Sequence, residues 1–405
     1  MKRSLATARP ADVCLVMRTP LARYPPSINQ GRLLAERGYR VCVLDIDDGG
    51  HVAGSLPPEI PRYVLARGIY PWSYWRRLNL FVSRYSRFVF HRNLAQVLRQ
   101  CAPRLVIAYE SPAMSAVHRL CRSGRVQKPL TICHFHELPL LPPWWLRGTR
   151  ADMVRALRYI NDSDLVLFPD RGRLEEVSRT TIFKTETQVV MNCPRRLDTV
   201  PVPRLRGFLG ERGVAPSEQL VVFCGSISWP RGLLEVVQGM KQWPERASLV
   251  LVGPANGEFL ERLLVLARQT GVGHRVHAVG PAPASDLLAL QAGADVALTI
   301  VKPTDLNKRI SAGASNKRFE AMAVAVPQVC DQLPGVREIV EQTGSGICVP
   351  HDDVRAIGEA ITSLLNHPER RKAMGAKARE AHLQRFNYEA QFEPVLERVS
   401  TWLRK

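Results

Sequence analysis

Residues 220–253 read LVVFCGSISWPRGLLEVVQGMKQWPERASLVLVG and hold two apolar, β-branched runs separated by an amphipathic run. The apolar runs, 220–225 and 248–253, each end in glycine, and the run between them has the apolar spacing of a helix. A buried strand, a helix and a second buried strand make a βαβ unit with parallel strands. A glycine directly after such a strand permits a tight turn, so a ligand can approach the backbone near a helix N-terminus. The stretch therefore predicts a doubly wound α/β domain with a ligand site at its strand ends.

Further apolar runs, separated by helical patterns, extend this βαβ rhythm over the chain. They lie at 12–17, 41–45, 104–109, 129–135, 164–169, 188–192, 275–280, 295–300, 327–331 and 346–350. A proline-bearing stretch, 196–217, interrupts the series. Because a domain takes about 100–200 residues, a chain of 405 residues has room for two. We predict an N-terminal Rossmann-like domain over 1–195, a linker over 196–217, a C-terminal Rossmann-like domain over 218–385 and a final helix over 386–405 that packs back toward the N-terminal domain.

Composition excludes several classes of protein. Hydrophobic residues make up 45% and charged residues 23% of the chain, which is globular usage and excludes a disordered or collagen-like chain. No apolar run reaches the ~18 residues that a membrane-spanning helix needs. The first apolar run, Val13–Met17, is too short for a signal peptide. The 9 cysteines stand singly, which is typical of reduced, buried thiols in a cytoplasmic protein.

The positive charge is concentrated in the first half of the chain. The 56 Lys and Arg against 37 Asp and Glu give a net charge of +19. Residues 1–200 hold 31 basic and 16 acidic side chains, a net of +15, whereas residues 201–405 hold 25 and 21, a net of +4. Such a field attracts anions, whether nucleic acid, an anionic membrane surface or phosphorylated substrates.

Residues 315–337, SNKRFEAMAVAVPQVCDQLPGVR, contain the most specific polar pattern. Ser315, Asn316, Lys317 and Glu320 stand at the start of a predicted helix. A helix N-terminus offers backbone N–H groups and partial positive charge to a phosphate, and Lys317 adds a full charge. Glu320, one turn further, could accept hydrogen bonds from two ribose hydroxyls. The alternative is an ordinary N-cap with a solvated lysine and glutamate.

The wording SNKRFEAMAVAVPQV (315–329) resembles the nucleotide-binding helix of the retaining GT-B glycosyltransferases of the large group 1 family, written PNKLFEYLAAGVPVI. The family wording is also matched at 221–237, 249–254, 279–298 and 331–353. In the first half, TICHFHELPL (131–140) is similar to the family's strand-end motif VYDAHEL. The resemblance implies the GT-B form of the α/β class, with two Rossmann-like doubly wound domains facing each other across a cleft.

The same resemblance implies where a nucleotide sugar would bind. Its base and ribose would lie near Gly253, Gly280 and Glu320. Its diphosphate would meet Gly225, Ser226, Arg231, Ser315, Asn316 and Lys317. Two positions depart from the family pattern: Ser226 stands where relatives often carry a second basic residue, and Ala312 stands where many carry a glutamate eight positions before Glu320. Recognition of the sugar is therefore expected to differ from the better-known pattern.

In the first domain, His136 and Glu137 are the catalytic candidates. The resemblance implies that His136 contacts the donor sugar or assists the acceptor hydroxyl. Glu137 could serve as an acceptor-side base, although the leaving phosphate is usually assigned that role in such enzymes. A buried structural histidine is the alternative for His136. His134, two residues earlier in the strand, could form a zinc pair with His136, but no third ligand is evident.

The resemblance implies that no metal or other cofactor is required. LDIDDGG (44–50) contains Asp45-Ile46-Asp47, which resembles the metal-binding DxD motif of another glycosyltransferase fold. It follows a second Rossmann-like strand, where an acid often only begins a loop, so we expect no metal site. Arginine, lysine and the helix dipole would instead stabilise the departing diphosphate. A UDP-sugar is favoured over a GDP-sugar as donor.

Two segments mix aromatic and basic residues, 70–99 and 139–150. Rings and arginines together suit an anionic bilayer interface, whereas packing of the aromatic face on the sheet is an equal alternative. Single-stranded nucleic acid would accept the same mixture, but the sequence has no RNA-binding motif, so nucleic acid is not expected.

Together these features predict a retaining glycosyltransferase that moves a sugar from a nucleoside-diphosphate donor to a hydroxyl acceptor. A lipid-linked acceptor and a cytoplasmic, membrane-peripheral location fit the charge. A non-hydrolysing sugar-nucleotide 2-epimerase shares the architecture and remains an alternative. The second alternative is a catalytically silent relative that binds nucleotide sugar, which Ala312 and Ser226 keep open.

Overall fold

The computed structural model describes residues 9–21, 24–46, 56–65, 78–138 and 157–404, with residues 65 and 78–86 described by backbone only. The segment 139–150, residues 70–77 and Asp47 lie outside the described residues. The expected membrane role of the two aromatic, basic segments therefore stays a prediction. None of the helices in the described ranges combines the length and the apolar character needed to cross a membrane.

The chain forms two compact units, Met1–Val190 with Phe392–Lys405, and Met191–Gln391. The first unit contains a parallel sheet in the order β3-β2-β1-β4-β5-β6-β7. Its strands are β1 Val13–Val16, β2 Val41–Ile46, β3 Arg62–Leu65, β4 Leu105–Tyr109, β5 Leu130–His134, β6 Leu165–Phe168 and β7 Thr187–Val189. Its helices are α1 Pro25–Glu36, α2 Leu78–Cys101, α3 Glu110–Arg122 and α4 Arg171–Ser178, with a 3₁₀ turn at Ile160–Asp162.

The second unit contains a parallel sheet in the order β10-β9-β8-β11-β12-β13. Its strands are β8 Gln219–Cys224, β9 Ala247–Val252, β10 Val276–Gly280, β11 Val296–Leu298, β12 Gln328–Asp331 and β13 Gly346–Val349. Its helices are α5 Leu205–Gly210, α6 Leu233–Gly239, α7 Gly257–Gln269, α8 Ala284–Gln291, α9 Leu306–Arg309, α10 Asn316–Ala323, α11 Val336–Thr343, α12 Val354–Asn366 and α13 Pro368–Gln384. The last helix of the chain, α14 Tyr388–Arg404, belongs to the first unit from Phe392 onward. Short 3₁₀ turns lie at Trp229–Arg231, Met240–Gln242 and Gly273–Arg275.

Both sheets follow the doubly wound order, in which the first strand of the unit is central and the next two lie to one side. The central strands β1, β2, β8 and β9 are buried along their length, as their continuous apolar sequences require. The predicted fold class, α/β with two Rossmann-like domains of the GT-B type, is confirmed.

The strand β3 has only three apolar residues, Tyr63, Val64 and Leu65, and the sequence pattern did not predict it. It pairs with β2 through the register Val43↔Arg62 to Ile46↔Leu65. Arg62 holds the fully buried Asp45 with two hydrogen bonds, of 2.9 Å to Oδ1 and 2.6 Å to Oδ2. The Leu21 N–H donates a further bond to Oδ2 at 2.9 Å. Asp45, which lies in β2, is therefore held by hydrogen bonds within its own unit.

The C-terminal helix α14 is attached to the first unit along its length. Glu393 pairs with Arg37 at 2.5 Å, and Tyr39 donates a hydrogen bond to Ser400 at 3.0 Å. Near the chain end, Arg104 donates to the carbonyl of Leu403 at 2.5 Å. These bonds join helix α14 to elements that precede it by some 300 residues in sequence.

Candidate functional site

Three neighbouring strands of the second unit end in glycine at one edge of the sheet. Gly225 follows β8, Gly253 follows β9, and Gly280 ends β10. The Gly225 N–H donates to the Val252 carbonyl, and the Gly253 N–H donates to the Gly280 carbonyl, both at 2.8 Å. Gly225 and Gly253 have φ values of +141° and +139°, which side chains rarely permit. The predicted row of glycines therefore forms a continuous stretch of bare backbone.

Lys317 lies directly against this row. A Cβ at Gly225 would be 2.1 Å from Cε and 2.7 Å from Nζ of Lys317, so only glycine leaves room for the lysine. The Lys317 Nζ lies 5.9 Å from the centre of the ring of Phe223, which belongs to the strand β8 that precedes Gly225. Within the described ranges, no hydrogen bond or ion pair reaches this ammonium group. The structure thus brings the predicted lysine and the predicted glycine turn into one place.

Helix α10 begins at this position. Ser315 is its N-cap residue, and its side chain makes no capping hydrogen bond. The backbone N–H groups of the first turn, which include those of Asn316 and Lys317, have no partner within a helix. Such donors, together with the partial positive charge of the helix N-terminus, suit an anionic oxygen. Ser315, Asn316 and Lys317 therefore lie together where the sequence predicts a diphosphate.

The charged side chains around the start of α10 are buried, and the loss of solvation disfavours their charged forms. The pKa of Lys317 is lowered to about 8, mainly by burial and also by the nearby Arg231, while Glu320 opposes the shift. Burial also lowers the pKa of Arg231, whose buried Nε has no hydrogen-bond partner in the part of the chain that the structure describes. Burial raises the pKa of the Glu320 carboxyl, against the influence of Lys317. An anion placed here would stabilise both cations, because their present surroundings supply little compensation.

The remaining predicted residues of this site differ in exposure. Ser226 is exposed, and its carbonyl accepts a weak hydrogen bond from the Ser228 hydroxyl at 3.4 Å. Gly280 has φ +84° and no atom within 4 Å of a Cβ position, so it borders open space. Ala312 is buried, and its Cβ lies 2.9 Å from the position that a Cβ would take at Gly335. At this position, the methyl group cannot replace the hydrogen bonds of a glutamate.

Sequence reasoning missed the residues that hold the turn before α10. Arg318, fully buried, donates through Nη1 to the carbonyl of Ala312 at 2.7 Å, and its Nη2 lies 3.9 Å from Asp331. Asn192 donates to the carbonyl of Ala314 at 3.0 Å, and its N–H donates to that of Gly313 at 2.8 Å. An arginine next to Lys317 on a polar helix start looks solvent-exposed in sequence, and no local signal marks it as buried.

In the first unit, His136 lies in a polar cluster at the end of β5. It is 3% exposed and is stacked between Tyr24 and Tyr109, with ring centroids 4.9 Å and 5.5 Å away. Its Nε2 is 2.8 Å from the Ser27 hydroxyl, and its buried Nδ1 has no hydrogen-bond partner among the described residues. The His134 ring, fully buried, lies 4.4 Å from it. Burial lowers the pKa of His134 to about 3 and that of His136 well below its usual value, so both rings are neutral.

Glu137 has a different environment from its neighbour. Its side chain is 54% exposed, and one carboxylate oxygen lies 3.3 Å from Nη1 of Arg173. Arg173 also donates to the carbonyl of His136. The arginine, itself nearly buried, therefore connects both predicted residues and fixes the backbone between them.

Glu110 is a member of this cluster that sequence reasoning did not select. It begins α3 directly after β4 and has φ +62°, an uncommon conformation for a non-glycine residue. Its Oε1 accepts the N–H groups of His136 at 2.7 Å and Glu137 at 3.1 Å. Burial raises the pKa of the Glu110 carboxyl to about 8, the two N–H bonds lower it, and Glu137 raises it. Strained backbone of this kind concentrates at functional sites.

Replacing Glu110 with glutamine is expected to flatten the pH dependence of stability. Since the folded-state pKa of about 8 exceeds the ordinary value of 4.5, folded protein binds more protons in that window, and stability falls as pH rises through it. The amide keeps the acceptor oxygen without the buried charge. At pH 8.5 the variant should be about 1–2 kcal/mol more stable than the wild type in urea unfolding, and equal near pH 4. Glu59→Gln, at an exposed position, is the control, and parallel pH profiles for wild type and Glu110→Gln would contradict the assignment.

The described residues contain no group of three or more His, Cys, Asp or Glu side chains arranged to hold a metal ion. His134 and His136 are adjacent, but the Nδ1 of His134 already pairs with Gln30 and the Nε2 of His136 with Ser27. The zinc alternative for this pair gains no third ligand from the part of the chain that the structure covers.

Comparison with known proteins gives a family match in the second unit. Residues 210–381 match the family model of the glycosyl transferases group 1, which is less than half of the chain. The matched residues lie within the second unit, Met191–Gln391. Lys317, Glu320 and the three strand-end glycines all fall within the matched residues.

Curated relatives share sequence with larger parts of the chain. A D-inositol 3-phosphate glycosyltransferase of Segniliparus rotundus is 29% identical over 254 residues, which are 59% of this chain and 54% of the relative. A GDP-mannose-dependent alpha-(1-6)-phosphatidylinositol monomannoside mannosyltransferase of Mycolicibacterium smegmatis is 29% identical over 288 residues, 69% of this chain and 72% of the relative. The chain therefore spans about half the length of the first relative and more of the second.

Among solved structures, Anabaena Alr3699/HepE in complex with UDP-glucose is similar over 96% of this chain and 100% of its own, with a TM-score of 0.72 and 15% identity. At that identity the likeness concerns the fold alone. It extends over both units, whereas the family model covers only the second.

Proposed function

We propose that the protein is a retaining glycosyltransferase, which transfers a sugar from a nucleoside-diphosphate donor to a hydroxyl acceptor. The observation that carries the proposal is the packing of Lys317, at the uncapped start of α10, against the bare backbone of Gly225. This arrangement concentrates N–H donors and positive charge at a strand end, and it lies within the residues that match the group 1 glycosyltransferase model.

In this proposal the diphosphate binds at the helix start. The N–H groups of Asn316 and Lys317, the Lys317 ammonium and the Arg231 guanidinium face the two phosphates, with backbone of Gly225 and Ser226 beside them. The base and ribose lie along Gly253 and Gly280, and Glu320 accepts hydrogen bonds from the ribose hydroxyls. Ser226 has no charge, so Lys317 and Arg231 together neutralise the diphosphate. Relatives often use a further basic residue for this purpose.

The chemistry that these residues can supply is electrostatic. When the bond between sugar and diphosphate breaks, negative charge grows on the leaving phosphate oxygen. Lys317, Arg231 and the helix N-terminus are already in position around it, and preorganised charge of this kind is typically worth several kcal/mol in a transition state. We propose no metal or other cofactor for the reaction, since the two cations and the helix dipole serve the leaving group.

We propose that the first unit contributes His136 and Glu137. A neutral His136 can exchange hydrogen bonds with a sugar or acceptor hydroxyl, whereas a charged imidazolium could only donate. Glu137, exposed and paired with Arg173, is the acceptor-side carboxylate. The leaving phosphate remains the base in a retaining reaction, in which the product keeps the stereochemistry of the donor.

The donor base and the acceptor are narrower parts of the proposal. One relative is named as GDP-mannose-dependent, while the similar solved structure holds UDP-glucose, so both bases have support. We place UDP-sugars first for testing. The excess of positive charge in residues 1–200 favours an acceptor on an anionic surface, such as a lipid-linked sugar at the cytoplasmic face of a membrane.

A thermal-shift screen with UDP, GDP and their sugars tests donor binding. Saturation at 100 times Kd should add about 2.7 kcal/mol to the free energy of unfolding and raise the melting temperature by several degrees. Glu320→Ala should abolish most of this shift, because it removes the ribose contacts. Glu359→Ala is the matched control, as this exposed glutamate forms an ion pair with Arg355 on helix α12.

Release of nucleoside diphosphate from the donor then separates an enzyme from a silent binder. Turnover that Glu320→Ala reduces and Glu359→Ala preserves would support the transferase. Binding without turnover, with or without sugar and lipid acceptors, would assign the protein to the silent class. If no nucleotide or nucleotide sugar shifts the melting temperature, the proposed function is wrong.

A further inference from the structure

Two cysteines of the second unit lie opposite each other on neighbouring strands. Cys330 of β12 and Cys348 of β13 are partners in the parallel register of the two strands. Side chains at such paired positions point to the same face of the sheet, and the two Sγ atoms are 3.4 Å apart. The sequence separates the two cysteines by 18 residues and forms no CxxC motif, so only the fold brings the thiols together.

The two thiols differ in their access to solvent. Cys330 is fully buried, in an apolar cluster that includes Phe319 and Met322 of α10. The pair therefore lies against the apolar face of the helix that begins near Lys317. Cys348 belongs to β13, the last strand in the order of its sheet, and is partly exposed. Of the two thiols, Cys348 is the one that a reagent in solution can reach.

The contact between the sulfurs also makes the two thiols unequal in acidity. The hydrogen bond with Cys330 lowers the pKa of the Cys348 thiol, against the effects of burial and of the nearby Glu341. The same hydrogen bond raises the pKa of Cys330, and burial raises it further. Because the thiolate is the reactive form of cysteine, Cys348 is the better nucleophile of the pair.

The strand geometry permits a bond between the two sulfurs. Neighbouring strands lie about 4.7–4.9 Å apart, which is within the roughly 4.4–6.8 Å that a disulfide usually spans between Cα atoms. The sulfurs of Cys330 and Cys348 would have to approach from 3.4 Å to about 2.05 Å. A shift of this size requires no other pairing of the strands.

We propose that Cys330 and Cys348 are a redox modification site, which forms a disulfide by exchange with a small disulfide in solution. The Cys348 thiolate attacks one sulfur of the reagent RS–SR, so a mixed disulfide forms and RS⁻ leaves and takes up the proton that Cys348 lost. Cys330 then loses its proton, its sulfur attacks that of Cys348, and the second RS⁻ leaves and takes up this proton. Two protein thiols are oxidised to one disulfide, and the reagent is reduced to two thiols. An excess of thiol reverses the exchange, which needs no substrate and is independent of the proposed function.

Peptide mapping of the full chain after exchange with hydroxyethyl disulfide tests this site. This reagent is uncharged, so Glu341 beside Cys348 does not repel it. The folded protein is incubated with the reagent and quenched with acid, and its remaining thiols are alkylated in denaturant before digestion with trypsin. Trypsin places Cys330 in the peptide 319–337 and Cys348 in the peptide 338–355, so mass spectrometry detects the disulfide as a link between two peptides.

A second cysteine pair in the same chain serves as an internal control. Cys14 of β1 and Cys42 of β2 are partners in the same kind of parallel register, but both are fully buried. We expect the link between Cys330 and Cys348 to form at least about 10-fold faster than any link between Cys14 and Cys42, and dithiothreitol to remove it. Absence of the link in the wild type would overturn the proposal. Equal rates at the two pairs would also overturn it, because the reaction would then proceed through unfolding.

Serine variants test the order of the two steps. Cys330→Ser removes the second nucleophile, so a mixed disulfide at Cys348 should accumulate and add the mass of one hydroxyethylthio group to the peptide 338–355. Cys348→Ser leaves only the buried thiol of the pair, which should react at least about 10-fold more slowly. Cys121→Ser, at a partly exposed cysteine of the first unit, is the matched control and should form the link at the wild-type rate.

Faster modification of Cys330 in Cys348→Ser than of Cys348 in Cys330→Ser would overturn the assignment of Cys348 as the first nucleophile. A slower link in Cys121→Ser would also contradict the proposal, since it would route the exchange through a different thiol. If a serine variant at the pair fails to fold, the link in the wild type still decides whether the disulfide forms.

Discussion

Replacing Lys317 with methionine is expected to weaken the binding of a nucleoside diphosphate about 10- to 100-fold without destabilising the protein. The loss corresponds to one charge-assisted hydrogen bond to phosphate, of about 1.5–3 kcal/mol. The unliganded protein should melt at the same or a higher temperature, because burial already disfavours the lysine charge and Arg231 repels it. Such a side chain contributes to binding at the expense of stability.

Titration calorimetry with UDP and GDP measures the affinity, and unfolding without ligand measures the stability. Lys308→Met is the matched control, since Lys308 also lies at a helix in the second unit but is ion-paired with Asp305. It should leave the affinity unchanged. Equal affinities of wild type and Lys317→Met would show that Lys317 does not contribute to diphosphate binding.

The pH dependence of the same wild-type affinity gives an independent reading. With a pKa of about 8 in the free protein, Lys317 is charged at pH 6 and largely neutral at pH 9. A bound phosphate raises that pKa, so affinity should be constant at low pH and fall as pH increases through about 8, by up to one logarithmic unit per pH unit. Lys317→Met should lack this decline.

Replacing Gly253 with alanine is expected to cost about 3–5 kcal/mol of stability in the second unit. The new Cβ would lie 2.1 Å from the carbonyl oxygen of Gly225 and 2.7 Å from its carbon. These are backbone atoms at the end of the neighbouring strand, and no side-chain rotation relieves the contact. The φ of +139° adds conformational strain for any residue with a Cβ.

Urea unfolding, followed by circular dichroism, measures the effect of Gly253→Ala. Gly271→Ala is the matched control, because Gly271 also has a positive φ, of +78°, but no atom within 4 Å of a Cβ. It should cost only about 1 kcal/mol, the conformational part alone. Similar losses in both variants would mean that the strand ends separate easily and that the contact between Gly225 and Gly253 is not rigid.

The sequence predicted most strands correctly because buried parallel strands are continuous apolar runs that need no knowledge of their neighbours. It failed at β3, where four residues beginning with Arg62 form a strand only because Asp45 and β2 lie beside them. It also found Lys317 and the strand-end glycines, since a turn that requires glycine and a charged helix start are both local features.

The residues that hold these sites in place could not be recognised from the sequence in the same way. Arg318 looks like a solvent-exposed helix residue until the fold places it, fully buried, under the turn at Ala312. Glu110 is the single acid in a basic stretch, and only its positive φ and its bonds to His136 and Glu137 reveal its place. Ser27 and Gln30 stand 109 and 104 residues from their histidine partners.

By itself, the sequence determined the two doubly wound domains and the concentration of positive charge in the first half, and it predicted the residues at which an anion would bind. These follow from apolar periodicity, composition and the conformational demands of glycine, which act over a few residues. The tertiary structure decided which acids are held by arginines and which histidines are buried. Those properties depend on burial and hydrogen bonds between distant segments, and only the folded chain brings such segments together.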